Sequence, residues 1–411
     1  MTTLDLSGLQ TMVTNDAALR RRQRLQPAGG KGDKLFPPTY PGEGRNAPPQ
    51  HVYERRRVEG RDVWCALVDS VQSQANRLEE SLLAAIEEGL ELPHVVVDFA
   101  ASKLDGVTQI TSLEAPHRIY DAIFRDSFLN GEPFMRSAVG QRLAKAKAED
   151  ATAVLETSPT ALLFGAWHST GEGGGIGAKF QRCVTSEIIA VNVPIDEIVN
   201  ERTGETLVRT AGRRTGSRID PLGILRKVEV YKGAAGWDVV KERAGKGSKL
   251  VRPSEINHGN IAPSVQPLGI TCDYIDHVFV LSFAALRRLS FGGAQRNVAG
   301  RTLLAALGLV ALTEQDARGY SLRSRCELVC DGVSPIEVVR PDGSNEPFVV
   351  SRDAARSIYR DAYGAAVPAG LQLPHEPIRL TPQDKLVEII RASQQLALSG
   401  EGGEEEGGAD A

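Results

Sequence analysis

No stretch of this 411-residue chain is apolar for long enough to cross a bilayer. The most apolar helix-like run, residues 303–312, is ten residues long and bounded by Arg301 and Glu314, about half of what a span requires. The N-terminus lacks the apolar core of a signal peptide, so a cytoplasmic protein without a membrane partner is expected. Cysteine is sparse. Cys65, Cys183, Cys272, Cys326 and Cys330 are odd in number and scattered. Only the last two are close, and no Cys-x-x-Cys pair or histidine cluster joins them, which argues against a disulfide framework and a zinc site. No metal or cofactor is expected. A Walker lysine is missing too, because Ala178 stands before Lys179 where the glycine run ends. Nor do an acid and a base recur at the fixed spacing that general acid–base chemistry favours.

What is present is uneven charge. The net charge of −4 conceals an acidic tail at residues 399–411 with five acids and no base, so the body carries about +1. Residues 201–255 hold 13 Lys and Arg against 7 Asp and Glu, or +6. That asymmetry points to a polyanionic partner.

The chain is organised around residues 160–182, TALLFGAWHSTGEGGGIGAKFQR. The run 161–166 reads as a buried strand that delivers Trp167 and His168 to a surface. Glycines 171, 173, 174, 175 and 177 follow, then Lys179, Gln181 and Arg182. Glycine lets backbone N–H groups approach an anion closely. The cations beyond suit phosphate, and Trp167 can stack on a base or simply be a buried indole. A strand, a flexible turn and a solvated helix start is the plainer reading.

Residues 17–26, AALRRRQRLQ, read as a strand. Alternation then sets Arg20, Arg22 and Arg24 on one face and Leu19, Arg21, Gln23 and Leu25 on the other; a solvated helix face is the alternative. Residues 28–50 form a Gly/Pro loop with Lys31 and Lys34. Apolar steps of three and four predict a helix over 63–88. A strand is predicted at 95–99, helices at 113–129 and 136–148, and a strand at 186–193. Residues 200–255 are punctuated by Thr-Gly, Ala-Gly and Gly-Ser turns. Their short strands, 207–210, 225–231 and 237–241, suggest a protruding basic β excursion; blunting exposed sheet edges is the plainer role for its cations. A buried strand at 275–283, a buried helix at 299–312 and a last core strand at 322–329 follow. Peripheral helices are predicted at 352–363 and 385–398, the second started by Thr381 and Pro382. Reduced to its core, the order is strand, helix, strand, strand, helix, strand, the α+β pattern of the ferredoxin-like or RRM fold.

Seven stretches in one order carry a family likeness: VDSVQSQANRLEE (68–80), LEAPHRIYDAIFRDS (113–127), FGAWHSTGEGGGIGAKFQR (164–182), SRIDPLGI (217–224), INHGNIAPS (256–264), ALRRLSF (285–291) and LRSRCEL (322–328). On these the chain resembles the RAMP-superfamily backbone subunit of the type I-G (formerly I-U) CRISPR Cascade complex, from about Arg20 to Leu328. The resemblance implies a non-catalytic subunit that polymerises head to tail along a guide RNA (crRNA) and displays it for pairing with target DNA. It implies further Cascade partners: a large subunit, five-type and six-type Cas proteins, and a recruited helicase–nuclease. It also implies an RRM-like palm (1–92, 150–199 and 256–330), a helical finger insertion (93–149) and a β-hairpin thumb (200–255); pattern and composition add a C-terminal helical extension (331–398) and a disordered acidic tail (399–411). RNA held without sequence preference must be gripped by phosphate and sugar. Arg20, Arg22, Arg24, Lys31, Lys34, Lys179, Gln181 and Arg182 are the expected palm contacts. Arg213, Arg214 and Arg218 are expected from the thumb, Trp167 is the wedge candidate, and Asn257 and His258 are placed to reach a ribose. Two rival readings stand beside this. Gly173-x-Gly175-x-x-Ala178 with Asp196 has the outline of a dinucleotide fingerprint. Asp33 with His168 would serve an RNA-cleaving relative.

Overall fold

The computed structural model describes residues 4–42, 49–167, 179–199, 202–204, 206–233 and 236–399. The glycines 171–177 and His168, and with them the dinucleotide outline, lie outside the described residues.

A nine-stranded sheet organises the molecule. Its strands are β1 (Ala18–Pro27), β2 (Tyr53–Val58), β3 (Arg61–Asp69), β4 (Val184–Val191), β5 (Tyr274–Ser282), β6 (Tyr320–Ser321), β7 (Glu327–Cys330), β8 (Ile336–Val339) and β9 (Asn345–Phe348). Across the sheet the order is β6-β7-β1-β5-β4-β3-β2, with β8 pairing β1 and β9. Taking β1, β4, β5 and β7 as first to fourth in the chain, they lie fourth, first, third, second. A helix follows the first and third of them, which is the split βαβ plan. Those helices are α2 (Val71–Glu87) and α3 (Ala294–Arg318); α1 (Leu6–Asn15) precedes β1, and α4 (Arg352–Ala366) and α5 (Asp384–Ser399) follow the sheet.

The helices cover one face of the sheet. Leu78 and Leu82 of α2 join Leu303, Leu304 and Leu307 of α3 and Leu19, Phe279 and Leu281 of the strands in one buried cluster. Each such side chain contributes about 1.5–3 kcal/mol when removed from water. Helix α3 has glycine at 300 because a Cβ there would stand 2.7 Å from the Phe291 ring and 2.9 Å from Leu155.

A line of buried polar groups threads this interface. Gln74 Nε2 donates to Asp69 (2.6 Å). Ser186 Oγ lies 3.2 Å from Gln74 Oε1 and 2.7 Å from His277 Nε2. His277 Nδ1 lies 3.1 Å from the Tyr320 hydroxyl, which donates to Asp316 at 2.5 Å. Asp316 also receives Arg21, whose Nη2 is 2.9 Å away. Because Tyr320 gives its proton to Asp316, it accepts from His277, so Nδ1 carries the imidazole proton. Burial, reinforced by the Arg21 charge, holds His277 well below its usual range. The imidazole is therefore neutral.

Several expectations change. The helix predicted over 63–88 is strand β3 followed by α2. Ser70 separates them, its side chain accepting the Ser73 N–H. The run 161–166 is not a strand: Thr160–Phe164 is a short buried helix. The region 113–129 holds only a 3₁₀ turn, a four-residue helix and a strand, Ser127–Leu129. Segment 93–149 is thus mixed rather than helical. Its strand Val95–Asp98 lies in a five-stranded sheet, pairing in parallel with Ile378–Pro382 from beyond the main sheet. Thr381 and Pro382 belong to that strand and do not start α5. The segment 331–398 is likewise part sheet, since β8 and β9 extend the main sheet past its expected last strand.

Candidate nucleic-acid interface

The sheet's other face carries the arginines. Along β1 every second residue is buried, and Arg20, Arg22 and Arg24 share the outer face, as the alternation predicts. The apolar cluster on this face, Cys65, Ile189 and Val191 with Val58, Val63 and Tyr274, contains strand residues only. Most guanidinium groups here already have acids. Arg20 Nε donates to Glu337 at 2.8 Å, Arg22 pairs with Asp276, and Arg56 pairs with Glu54 and with Glu187 at 2.8 Å. Arg24 differs: its guanidinium lies 3.2 Å from the centre of the Tyr274 ring. The Arg22 side chain is still 57% exposed, whereas Asp276 beneath it is sealed at 1%.

Ahead of the Val184 end of β4, the chain around Trp167 forms a short hairpin. After helix Thr160–Phe164, Gly165 takes a left-handed φ of 87°. Ala166–Trp167 then pairs with Lys179–Phe180. Trp167 is 62% exposed, so the indole is available for stacking. Beside it lies a cleft of about 470 Å³, lined by His117, Arg118, Lys179, Gln181 and Arg182 among others. Gln181 accepts from Arg288 at 3.0 Å. Arg118 braces the hairpin from below. It sits at a φ of 52°, where a non-glycine residue needs strong support. That support is a bidentate pair to Glu79, both contacts 2.7 Å, and a bond to the Gly165 carbonyl at 2.9 Å. Burial pushes the Glu79 carboxyl up to about 7 against the pull of Arg118.

Beyond the Val191 end of β4 the chain enters the excursion. It is several small sheets rather than one hairpin: Ile195–Val199 with Thr206–Thr210, Arg214–Arg218 with Ile261–Gln266, and Val230–Gly233 between Gly236–Asp238 and Lys249–Val251. Lys34 Nζ donates to the Arg213 carbonyl at 2.6 Å, so these two expected site residues meet at its base. The Arg213 side chain is spent on structure, holding Asp196 and the carbonyls of Thr210 and Gly212, each at 3.0 Å. Arg214 and Arg218 stand exposed. Asn257 occupies a left-handed turn at φ 61°, and His258 meets the Trp237 ring edge-on at 5.5 Å. Lys31 pairs with Asp331 at 2.7 Å, near the Arg24 end of β1. Asp33 accepts its neighbour Lys34's amide, and Asp196 is engaged by Arg213.

Strand β4 lies between the two in the chain. The Trp167 hairpin leads into it at Val184, and the excursion leaves beyond Val191. Its seven residue steps at about 3.4 Å make the strand about 24 Å long. Register places Arg20 level with Thr185 and Arg24 level with Ile189, so the arginines of β1 run from one end towards the other. Sequence reasoning missed Tyr274, Asp276 and Glu337, the groups that position those arginines. The one available signal was the polar Asp276 and His277 inside the otherwise apolar strand YIDHVFVLS.

Among the described residues no helix is long and apolar enough to cross a membrane, and no three His, Cys, Asp or Glu side chains cluster to hold a metal.

An α+β sheet with a cationic outer face is an architecture that several kinds of protein use, and comparison finds a likeness to CRISPR-associated proteins. Residues 19–195 match the model of the family described as CRISPR-associated protein GSU0053. The matched stretch ends as the basic excursion begins. Among solved structures the chain is similar to Thermofilum pendens Csc2, at 11% identity over 95% of this chain and 80% of that chain, with a TM-score of 0.28. No curated protein matches it.

Proposed function

We propose that the chain is a non-catalytic backbone subunit that holds guide RNA in a type I CRISPR interference complex. The observation that carries this reading is the outer sheet face. It is lined by Arg20, Arg22 and Arg24, its apolar cluster holds strand residues only, and strand β4, about 24 Å long, runs from the exposed Trp167 hairpin's side to the basic excursion's. Contacts of that kind hold a sugar–phosphate strand and leave base edges free. In this reading the main sheet is the palm, the mixed segment 93–149 the finger and residues 200–255 the thumb. Lys31, Lys34, Lys179, Gln181, Arg182, Arg214 and Arg218 line the RNA path, with Asn257 and His258 near it. Arg213 shapes the base of the thumb.

Head-to-tail contact between copies does not close, so growth along RNA gives a filament. Target DNA enters through the guide, and the remaining Cascade subunits and the helicase–nuclease act on the assembled filament. The test is ribonuclease protection with purified protein and single-stranded RNA. The reading predicts intact, protected fragments that lengthen in equal steps as protein is added. RNA left unprotected, or cut by the protein with Mg²⁺, would remove it.

A further inference from the structure

We infer that Arg24 and Asp276 together recognise a ribose 2′-hydroxyl, which makes the outer face select RNA over DNA; this rests on the RNA-holding reading above. The two residues are direct partners across β1 and β5 and share the outer face. Each has an unfilled bonding position. Asp276 is 1% exposed, with one oxygen taken by Arg22, while its Oδ1 is buried without a partner. Arg24 Nη1 is buried without a partner as well. The obvious resolution, a bond between them, is not made, and Arg24 lies on the Tyr274 ring instead.

Buried polar atoms are nearly always satisfied, and leaving one unpaired is costly. An ionised carboxylate oxygen can only accept, and a guanidinium N–H can only donate. The group that answers both must give one hydrogen bond and take one, as a hydroxyl does. A phosphate oxygen would satisfy Arg24 but be repelled by Asp276. The ribose 2′-hydroxyl has both capacities, and deoxyribose has neither. Its entry requires the Arg22 and Arg24 side chains to part. The exposed Arg22 guanidinium then stands beside the sugar, where the adjoining phosphate lies.

The experiment measures binding of the full-length protein to an oligouridine, its 2′-fluoro analogue and oligodeoxyuridine of equal length, by fluorescence anisotropy at fixed salt. The 2′-fluoro sugar keeps an RNA-like pucker but cannot donate. The wild-type protein should bind RNA about tenfold more tightly than either analogue, the worth of a charge-assisted hydrogen bond. Asp276→Asn should bring all three to similar affinity. Equal binding of RNA and 2′-fluoro RNA by the wild-type protein overturns the inference, whether or not the variant folds. Equal, salt-sensitive binding of all three would leave the RNA-holding reading standing, whereas failure to bind any of them would remove both.

Discussion

On the proposed reading, charge removal in the excursion separates residues that grip RNA from residues that build the grip. Arg214 and Arg218 lie four residues apart on one strand, whose pairing slips by one residue between Gly216 and Arg218. Both are exposed. Arg213 is one residue earlier in sequence but is bound to Asp196 and to two carbonyls. On a single strand each neutralised phosphate adds about 0.7 to the slope of log K against log salt. Arg214→Ala with Arg218→Ala should therefore lower that slope by about 1.4 with little loss of stability. Arg213→Ala should leave the slope nearly unchanged. It should instead cost about 1–3 kcal/mol of stability, the sum of two carbonyl bonds and an exposed ion pair. Anisotropy titrations of labelled single-stranded RNA over a series of salt concentrations, with urea melts of each variant, give both quantities. An unchanged slope in the double variant would take this strand off the RNA path. A slope loss in Arg213→Ala as large as in the double variant would show that the bound guanidinium is free to leave its partners.

Other consequences follow from the buried groups. His277 has its folded pKa depressed below the unfolded value near 6.5. Its stabilising contribution is present in full above that value and is lost as pH falls below it, at up to about 1.4 kcal/mol per pH unit. Urea melts at descending pH should show the wild-type stability falling towards that of His277→Gln, and a constant gap would contradict the neutral-imidazole account. Arg118→Ala strands the Glu79 carboxylate and the Gly165 carbonyl and should cost about 3–5 kcal/mol. Glu79→Gln should cost less, because it keeps an acceptor for Arg118 and burial already opposes the carboxylate charge; thermal melts at neutral pH compare the two. Gly212→Ala would set a Cβ 2.0 Å from the Gly269 carbonyl at the excursion's base. It should destabilise by about 1–3 kcal/mol and weaken RNA binding. Trp167→Ala should lose about 1–3 kcal/mol of RNA affinity if a base stacks there, without a change in melting temperature.

The parts of the fold that depend on local pattern were legible. Strand β1 shows its two faces because period-two alternation places Leu19 and Leu25 inward and the outer arginines outward. The order of the core elements could be read from apolar runs and turn residues. Where the reading failed, a distant partner decided. The apolar spacing of Leu67, Val71 and Ala75 continued through a strand into a helix, and sheet pairing with β2 and β4, together with the Ser70 cap, separates them. Val95–Asp98 finds its neighbour at Ile378–Pro382, about 280 residues on. The site shows the same division. The facing of Arg22 was visible, but its partner Asp276 lies 254 positions away. Composition indicated a basic excursion, yet could not say that Arg213 is bound and Arg214 exposed.

The central claim, that this protein holds an RNA strand and does no chemistry on it, meets its most direct test in co-expression of the full chain with a CRISPR array and the other Cascade subunits, followed by purification and sizing of whatever nucleic acid accompanies it. The account predicts one RNA species of discrete length, uncut during incubation with Mg²⁺. An assembly that forms and persists without RNA would contradict it.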